Sequence, residues 1–455
     1  MSKHIKLKKG FDINLVGEAE KKIAEIDQPE TFAYKPTSFH GILRPKLMVA
    51  EGDNVKAGTP ILYDKKNDKV IHVAPVSGEV VEIRRGAKRK LLEIVILADK
   101  TIEHVQHQKY APSELNTLSR EDIKSQLLAN GGWVNLIQRP FGIIADPEET
   151  PKAIFISAFD SHPLAPDYNV LFKGQEQYFQ AGIDVLKKLT DGLVHLNIDA
   201  DAEVSQIFSQ AKHVQINKFS GPHPAGNVGV QIHHIDPINK GDIVWTINPY
   251  GVIQIGKLFA EGIYDASRVV ALTGSEVKNA QYYKTYTGAS ITKMVAGNVT
   301  SDNVRYIGGN VLTGEKMDEK GHLGYFDHQV TVIPEGDYYE LFGWIMPTTK
   351  KLSFQRAFGL LSFLNNNDKK YVVDTNMKGE PRAFVQSGVF EKVMPMDILP
   401  TFLLKAILAE DFDEMEALGI YEVIEEDFAL CEFVDVSKHD IQKIVREGLD
   451  LMQYS

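Results

Sequence analysis

Two short stretches combine groups that can handle a proton with a stiff backbone. Phe159-Asp160-Ser161-His162-Pro163-Leu164-Ala165-Pro166-Asp167 and Phe219-Ser220-Gly221-Pro222-His223-Pro224-Ala225-Gly226-Asn227 each hold a histidine in a Pro/Gly frame beside an aromatic residue. An imidazole fixed in this way can hydrogen-bond a carbonyl oxygen while an aromatic face packs on a planar ring. The competing reading, for either histidine, is a long loop pinned by prolines. Gln231-Ile232-His233-His234 follows shortly. Read as a strand, it points its two histidines to opposite sides, which makes them poor partners for one metal ion.

Other catalytic patterns fail on single residues. Gly251-Val-Ile-Gln-Ile-Gly256-Lys257 has the spacing of a phosphate-binding loop, but Leu258 stands where a hydroxyl must ligate magnesium. Val252, Ile253 and Ile255 in the spacer suit a buried helix. No GxGxxG follows a strand, and neither HExxH nor GxSxG occurs. Cys431 is the single cysteine, so it can neither form an internal disulfide nor hold zinc or an iron–sulfur cluster unaided.

The loops need a scaffold, and the chain supplies one. With 455 residues, 43% hydrophobic and 24% charged, it is too long for one ordinary core and has globular composition. No apolar run approaches the ~20 residues of a membrane helix. The basic start, MSKHIKLKKGFDIN, has no apolar segment behind it to mark it for export. A net charge of −11 argues against a nucleic-acid binder. The first hundred residues are basic and residues 381–455 strongly acidic, as in a chain whose ends meet different partners or each other.

Between the loops, KAIFISAF (152–159), LVHLNID (193–199), HVQINKF (213–219) and GDIVWTI (241–247) read as strands. QEQYFQAGIDVLKKLTDG (175–192), AEVSQIFSQAK (202–212) and GVIQIGKLFAEG (251–262) read as helices. This alternation predicts a largely parallel sheet with helices on it, whose ligands sit at the carboxyl ends of the strands. Upstream, Glu51-Gly52-Asp53-x-Val55-x-x-Gly58 and Ala74-Pro75-x-Ser77-Gly78-x-Val80 are similar to biotinyl/lipoyl-like carrier domains. The tip Asp64-Lys65-Lys66-Asn67-Asp68-Lys69 lies off the lipoyl spacing and lacks Met-Lys-Met, so the expected unit is a β-sandwich with an unmodified tip. Arg84-Arg85-Gly86-Ala87-Lys88-Arg89-Lys90 reads as a basic hairpin tip.

Downstream, Arg268-Val-Val-Ala-Leu-Thr-Gly274 and Ile307-Gly-Gly-Asn-Val-Leu-Thr-Gly314 bracket a segment that resembles soluble-ligand-binding β-grasp domains. Beyond residue 390 the pattern is helical, with Ile441, Ile444, Val445 and Leu449 on one face. The expected fold is α/β and α+β multidomain. It comprises a lipoyl-like β-sandwich (a barrel-sandwich hybrid) with an N-terminal extension at 1–110, a Rossmann-like α/β unit at 111–265, a β-grasp unit at 266–345 and a helical C-terminal unit at 346–455.

In this order the units resemble the family of A subunits of the Na+-translocating NADH:quinone oxidoreductases. Relatives are the C subunit of the Rnf complex and the flavin-bearing subunit of complex I. GDNVKAGTPIL, APVSGEVVEIRRGAKR, FSGPHPAGNVGVQIHHIDP and the β-grasp brackets carry the resemblance. Flavin-bearing relatives hold FMN phosphate on a glycine-rich loop before the first α/β strand. Here Gly131-Gly132-Trp133-Val134-Asn135-Leu136-Ile137-Gln138-Arg139-Pro140-Phe141-Gly142 lacks the internal glycines, and Pro140 lacks a donor. Rnf-type relatives carry two CxxCxxCxxxCP clusters. Met394-Pro395-Met396 and Cys431-x-x-x-Asp435 stand as their degenerate remains.

The resemblance implies a peripheral subunit on the cytoplasmic face of the bacterial inner membrane. It would take part in reducing quinone to quinol, coupled to Na+ export, without a redox cofactor of its own. FMN, FAD and Fe–S centres are expected in partner subunits, and its partners include the integral membrane subunits. His223, Phe219 and His162 are the quinone-binding candidates, and no residue is assigned as catalytic. The alternatives are a purely structural docking subunit that binds no quinone, and a free-standing electron-transfer protein of the Rnf type.

Overall fold

The run Ala153–Ser157 (AIFIS) is apolar on both faces because it lies inside a sheet, paired in parallel with Leu193–Asp199 on one side and Val244–Thr246 on the other. A computed structural model describes residues 3–115, 117–356, 358–366, 368–385 and 388–454. The seven strands of this sheet run in the order His4–Lys6, Gln215–Ser220, Leu193–Asp199, Ala153–Ser157, Val244–Thr246, Ile137–Arg139, Ile143–Ile144. The first five are mutually parallel, and the last two add an antiparallel edge.

Helices Glu176–Leu189 and Pro249–Glu261 cross against each other on this sheet, and glycines set their separation. A Cβ on Gly256 would stand 1.8 Å from the Tyr178 carbonyl oxygen, and one on Gly182 would stand 2.1 Å from that of Val252. The GxxxxGK spacing is therefore a helix-packing feature. Asn248 caps the helix start by accepting from the Gly251 N–H, and Lys257 pairs with Asp265 at 2.7 Å. Gly256→Ala tests this account. Alanine gains about 1 kcal/mol in helix propensity, but the clash is with backbone, which cannot swing aside, and overpacking costs about 1–3 kcal/mol or more. A lower thermal midpoint is expected; an unchanged one would mean that the helices part freely.

Two smaller sheets, of four and three strands, form the sandwich between Thr31 and Ala98. Its Lys65–Lys66 tip is a tight turn in which the Asp64 carboxylate accepts from the N–H groups of Leu43, Arg44 and Lys66. The Lys66 ammonium rests 4.7 Å from the Tyr454 ring centroid, on the C-terminal helix. A six-stranded sheet, with strands Ser267–Thr273 and Gln329–Pro334 at its centre, forms the β-grasp unit.

The N-terminal extension stitches the units together. His4–Lys6 extends the parallel sheet beside Lys218–Ser220, and Ile23–Ala24 extends the β-grasp sheet beside Tyr282–Tyr283. The helices Pro400–Leu408, Glu425–Val434 and Ile441–Tyr454 build a second apolar core, in which Ile441, Ile444, Val445 and Leu449 are all buried.

Two local expectations are corrected. Only Gln206–Ser209 of the segment 202–212 is helical. Val228–Ile235 is a helix, not a strand. Its β-branched residues suggest an extended chain, but the segment is packed against Ala153 and Phe155 under the sheet, and tertiary burial overrides propensity. His233 and His234 therefore lie side by side, with ring centroids 5.2 Å apart. His233 bonds the Glu422 carboxylate and accepts from the Asp397 N–H.

Candidate functional site

The parallel strands end at a cleft of about 390 Å³ to which all four units contribute. Phe39 and His40 come from the sandwich; Arg139, Asp160 and His162 from the α/β unit; Asn310 and His328 from the β-grasp unit; and Glu426 from the C-terminal helices. Its position is the one that α/β sheets use for ligands.

Side-chain hydrogen bonds join the two histidine loops. Ser157 Oγ donates to the Gly226 carbonyl, Ser161 Oγ accepts from the Gly226 N–H at 2.8 Å, and Ser161 Oγ lies 3.0 Å from His223 Nδ1. Gly226 is required by this close approach, because a Cβ there would stand 2.6 Å from the Ser161 nitrogen. The His162 and His223 rings come to 4.7 Å.

His162 lines the cleft. Its Nδ1 is 2.6 Å from Asp160 Oδ1, and its buried Nε2 has no hydrogen-bond partner but lies 3.7 Å from Glu426 Oε1. His328 Nε2 approaches the other Asp160 oxygen at 3.3 Å, so one carboxylate is flanked by two imidazoles. His223 sits one layer behind at 1% exposure, and Phe219 is fully enclosed on its strand; neither lines the cleft.

The charges of these groups are set by one another. Burial alone would hold the Asp160 carboxyl in its neutral form. The His162 charge, with hydrogen bonds from His162 and His328, overcomes this and holds it well below the carboxylate range. Burial likewise opposes the His162 charge, but Asp160 and then Glu426 raise its pKa above the ordinary histidine value. Glu426 keeps 34% side-chain exposure, yet it is set within the cleft walls. Burial raises its pKa against the pull of His162. Asp327, also on the cleft, is raised by burial. His223 is pushed down to about 3 by burial and then by the His162 charge, so it is neutral.

Sequence reading found the two loops but not His328, Glu426 or Arg139. The overlooked signal for Glu426 was Glu425-Glu426-Asp427 ahead of an apolar helix, which passes for a solvated first turn. Asp427 in that triplet is 2% exposed and bonds the equally buried Arg139 guanidinium at 2.8 Å.

The residues at the flavin-loop position do not fit FMN phosphate. A Cβ on Gly131 would stand 2.3 Å from the Val73 side chain and one on Gly132 2.7 Å from that of Leu127, so both glycines serve packing. Trp133, Val134 and Asn135 are buried, and Asp427 neutralises Arg139. No lysine is among the described residues lining the cleft, and its arginine is the already neutralised Arg139, so a phosphate finds no free ammonium or guanidinium there. The cluster positions do not fit iron either. Cys431 is buried in the second core, and burial, then Glu391 and Asp435, raise its thiol pKa. Asp435 accepts from the N–H groups of Ser437 and His439 and from His439 Nδ1, which closes the turn after a helix. Met394 is buried in the same core. Among the described residues no group of three or more His, Cys, Asp or Glu is arranged for a metal ion.

This architecture defines a class: a four-unit α/β protein with a cleft at the meeting point of the units. Family models match in the same order. The NqrA N-terminal barrel-sandwich hybrid domain matches residues 5–99, the NqrA second alpha/beta domain 118–264, and the NqrA C-terminal domain 269–319. The A subunit of the Na+-translocating NADH-quinone reductase of Neisseria meningitidis serogroup B is 38% identical over 99% of both chains. Its counterpart in Yersinia pestis bv. Antiqua is 40% identical over 98% of both, and that of Pasteurella multocida 39% over 99% of both. A distant overlap, at TM-score 0.37 and 12% identity, is with an NAD+-reducing [NiFe]-hydrogenase, covering 76% of this chain and 66% of that one. The chain belongs to the NqrA family, the A subunits of the Na+-translocating NADH-quinone reductases, which are enzyme complexes.

Proposed function

We propose that the chain is a peripheral subunit of such a complex, on the cytoplasmic side of the membrane, and that its cleft holds a quinone headgroup during reduction to quinol. The His162–Asp160–His328 cluster facing Glu426 carries this reading. A quinone is neutral, so it needs hydrogen-bond donors rather than the free cations that a phosphate needs. Phe39, Phe159 and Phe326 line the same space and can pack on its ring. His162 Nε2 and Glu426 Oε1 stand 3.7 Å apart, so one carbonyl oxygen placed between them takes hydrogen bonds from both. As the ring gains two electrons, that oxygen gains a proton from this pair, the other carbonyl oxygen takes the second proton from water, and Asp160 holds the imidazole in place. His223 acts from behind through Ser161, and Phe219 supports its loop from the strand.

The electrons come from flavin and iron–sulfur centres in partner subunits, and the chain contributes no redox cofactor of its own. Its integral membrane partners carry out the coupled Na+ export. A purely structural role is the other outcome of the test.

The test is a titration with a short-chain water-soluble quinone, followed by tryptophan fluorescence. The variant Trp344→Phe leaves only Trp133 and Trp245, both buried in the α/β unit. Saturable quenching, absent with an aliphatic diketone of similar size, is expected. Quenching without saturation would leave a scaffold.

A further inference from the structure

An unusual surface lies away from the cleft. The described residues of 338–364 contain one short helical turn, Ser362–Leu364, and otherwise run irregularly. Gly359 N–H donates to the Trp344 carbonyl and Leu360 N–H to that of Met346, both at 3.0 Å, so residues 341–346 and 358–364 lie side by side as one lobe. The lobe turns its large side chains outward: Tyr339, Leu341, Phe342, Trp344, Phe363 and Leu364 are all at least 60% exposed. Single exposed apolar residues are ordinary, but a contiguous group of this size marks a contact surface.

Its charge identifies the contact. Within 338–364 the chain carries Lys350, Lys351 and Arg356 against Glu340, to which Lys351 is paired, and Lys369 and Lys370 follow beside Asp368, with Lys370 paired to Glu18; the lobe is thus net positive in a protein of net charge −11. An anionic bilayer would repel most of this acidic surface and attract this lobe. Tryptophan and tyrosine among aliphatics, rimmed by lysine, is the composition that settles at the headgroup level of a membrane. Among the described residues no helix is long and apolar enough to cross a membrane, so contact of this kind is interfacial.

We propose that the 338–364 lobe dips directly into the interface of an anionic lipid bilayer and orients the protein on the membrane. Trp344 reports on this, because Trp133 and Trp245 are buried and Trp344 is 62% exposed. The purified full chain is mixed with vesicles of phosphatidylglycerol and phosphatidylcholine in equal parts. Expected are a blue shift of tryptophan emission, quenching by bromine-labelled acyl chains, and binding that weakens severalfold with added salt. Leu341→Ser should weaken binding about tenfold by removing apolar burial. Lys350→Glu should weaken it on anionic vesicles while leaving the fold untouched. No shift on these vesicles, equal binding by wild type and Leu341→Ser, or binding only to vesicles that contain the complex's membrane subunits would overturn the proposal.

Discussion

Replacing His162 with glutamine weakens binding of a short-chain quinone by about 10–100-fold, the equivalent of the ~1.5–3 kcal/mol carried by a hydrogen bond to a charged group. Nε2 is a buried polar atom on the cleft with no hydrogen-bond partner within the protein, and the imidazolium gives it a proton to donate. The effect depends on pH in a defined sense. The His162 pKa is raised, so the donor is fully present below the ordinary histidine value, and affinity falls as pH rises through the raised value. Above it, Asp160 keeps the remaining proton on Nδ1, and Nε2 turns from donor to acceptor.

Asp160→Asn removes the largest influence raising His162 and shifts the fall in affinity to lower pH. The same cluster contributes to stability. The His162 part is complete below the ordinary histidine pKa and fades above the raised one. The Asp160 part is complete above the ordinary carboxylate range and is lost only in acid. If His162→Gln binds quinone as wild type does, with the same pH profile, the donor lies elsewhere.

The order of units was legible because each leaves a local signature: period-two runs with Gly turns for the sandwich, strand–helix alternation for the sheet, and a one-sided apolar stripe for the last helix. Both histidine loops were legible because proline and glycine mark where backbone is pinned. Which histidine lines the cleft was not, because it depends on Gly226 pressing against Ser161, a contact between positions more than sixty residues apart in the sequence. His328 and Glu426 escaped for the same reason, since each approaches the cleft from a different unit. The helix Val228–Ile235 was misread because β-branched residues state a local preference that burial under the sheet reverses.

Asp427→Ala is expected to loosen the C-terminal helices from the rest of the molecule at a cost of about 3–5 kcal/mol. Asp427 sits in the first turn of the helix Glu425–Val434, Arg139 lies on the antiparallel strand Ile137–Arg139 beside Val244–Thr246, and their pair has side chains 0% and 2% exposed. Gly229 makes room for it, since a Cβ there would stand 2.4 Å from both Arg139 Nη1 and Asp427 Oδ1. Removing the aspartate leaves a guanidinium that cannot lose its proton enclosed without a counter-charge.

A second tie, Arg446 to Glu425 and to the Phe141 carbonyl, joins the same two units and limits how far they part. Because unfolding of several units is not a single transition, the readout is hydrogen exchange across Ile441–Tyr454 together with the first thermal midpoint. Faster exchange there, with the Glu176–Leu189 helix unchanged, is the expected pattern. The double variant Arg139→Met/Asp427→Leu should recover most of the loss, because it removes both charges and keeps the volume. If the double variant is as unstable as Asp427→Ala, the loss comes from packing, and the ion pair is not what fastens Glu426 at the edge of the cleft.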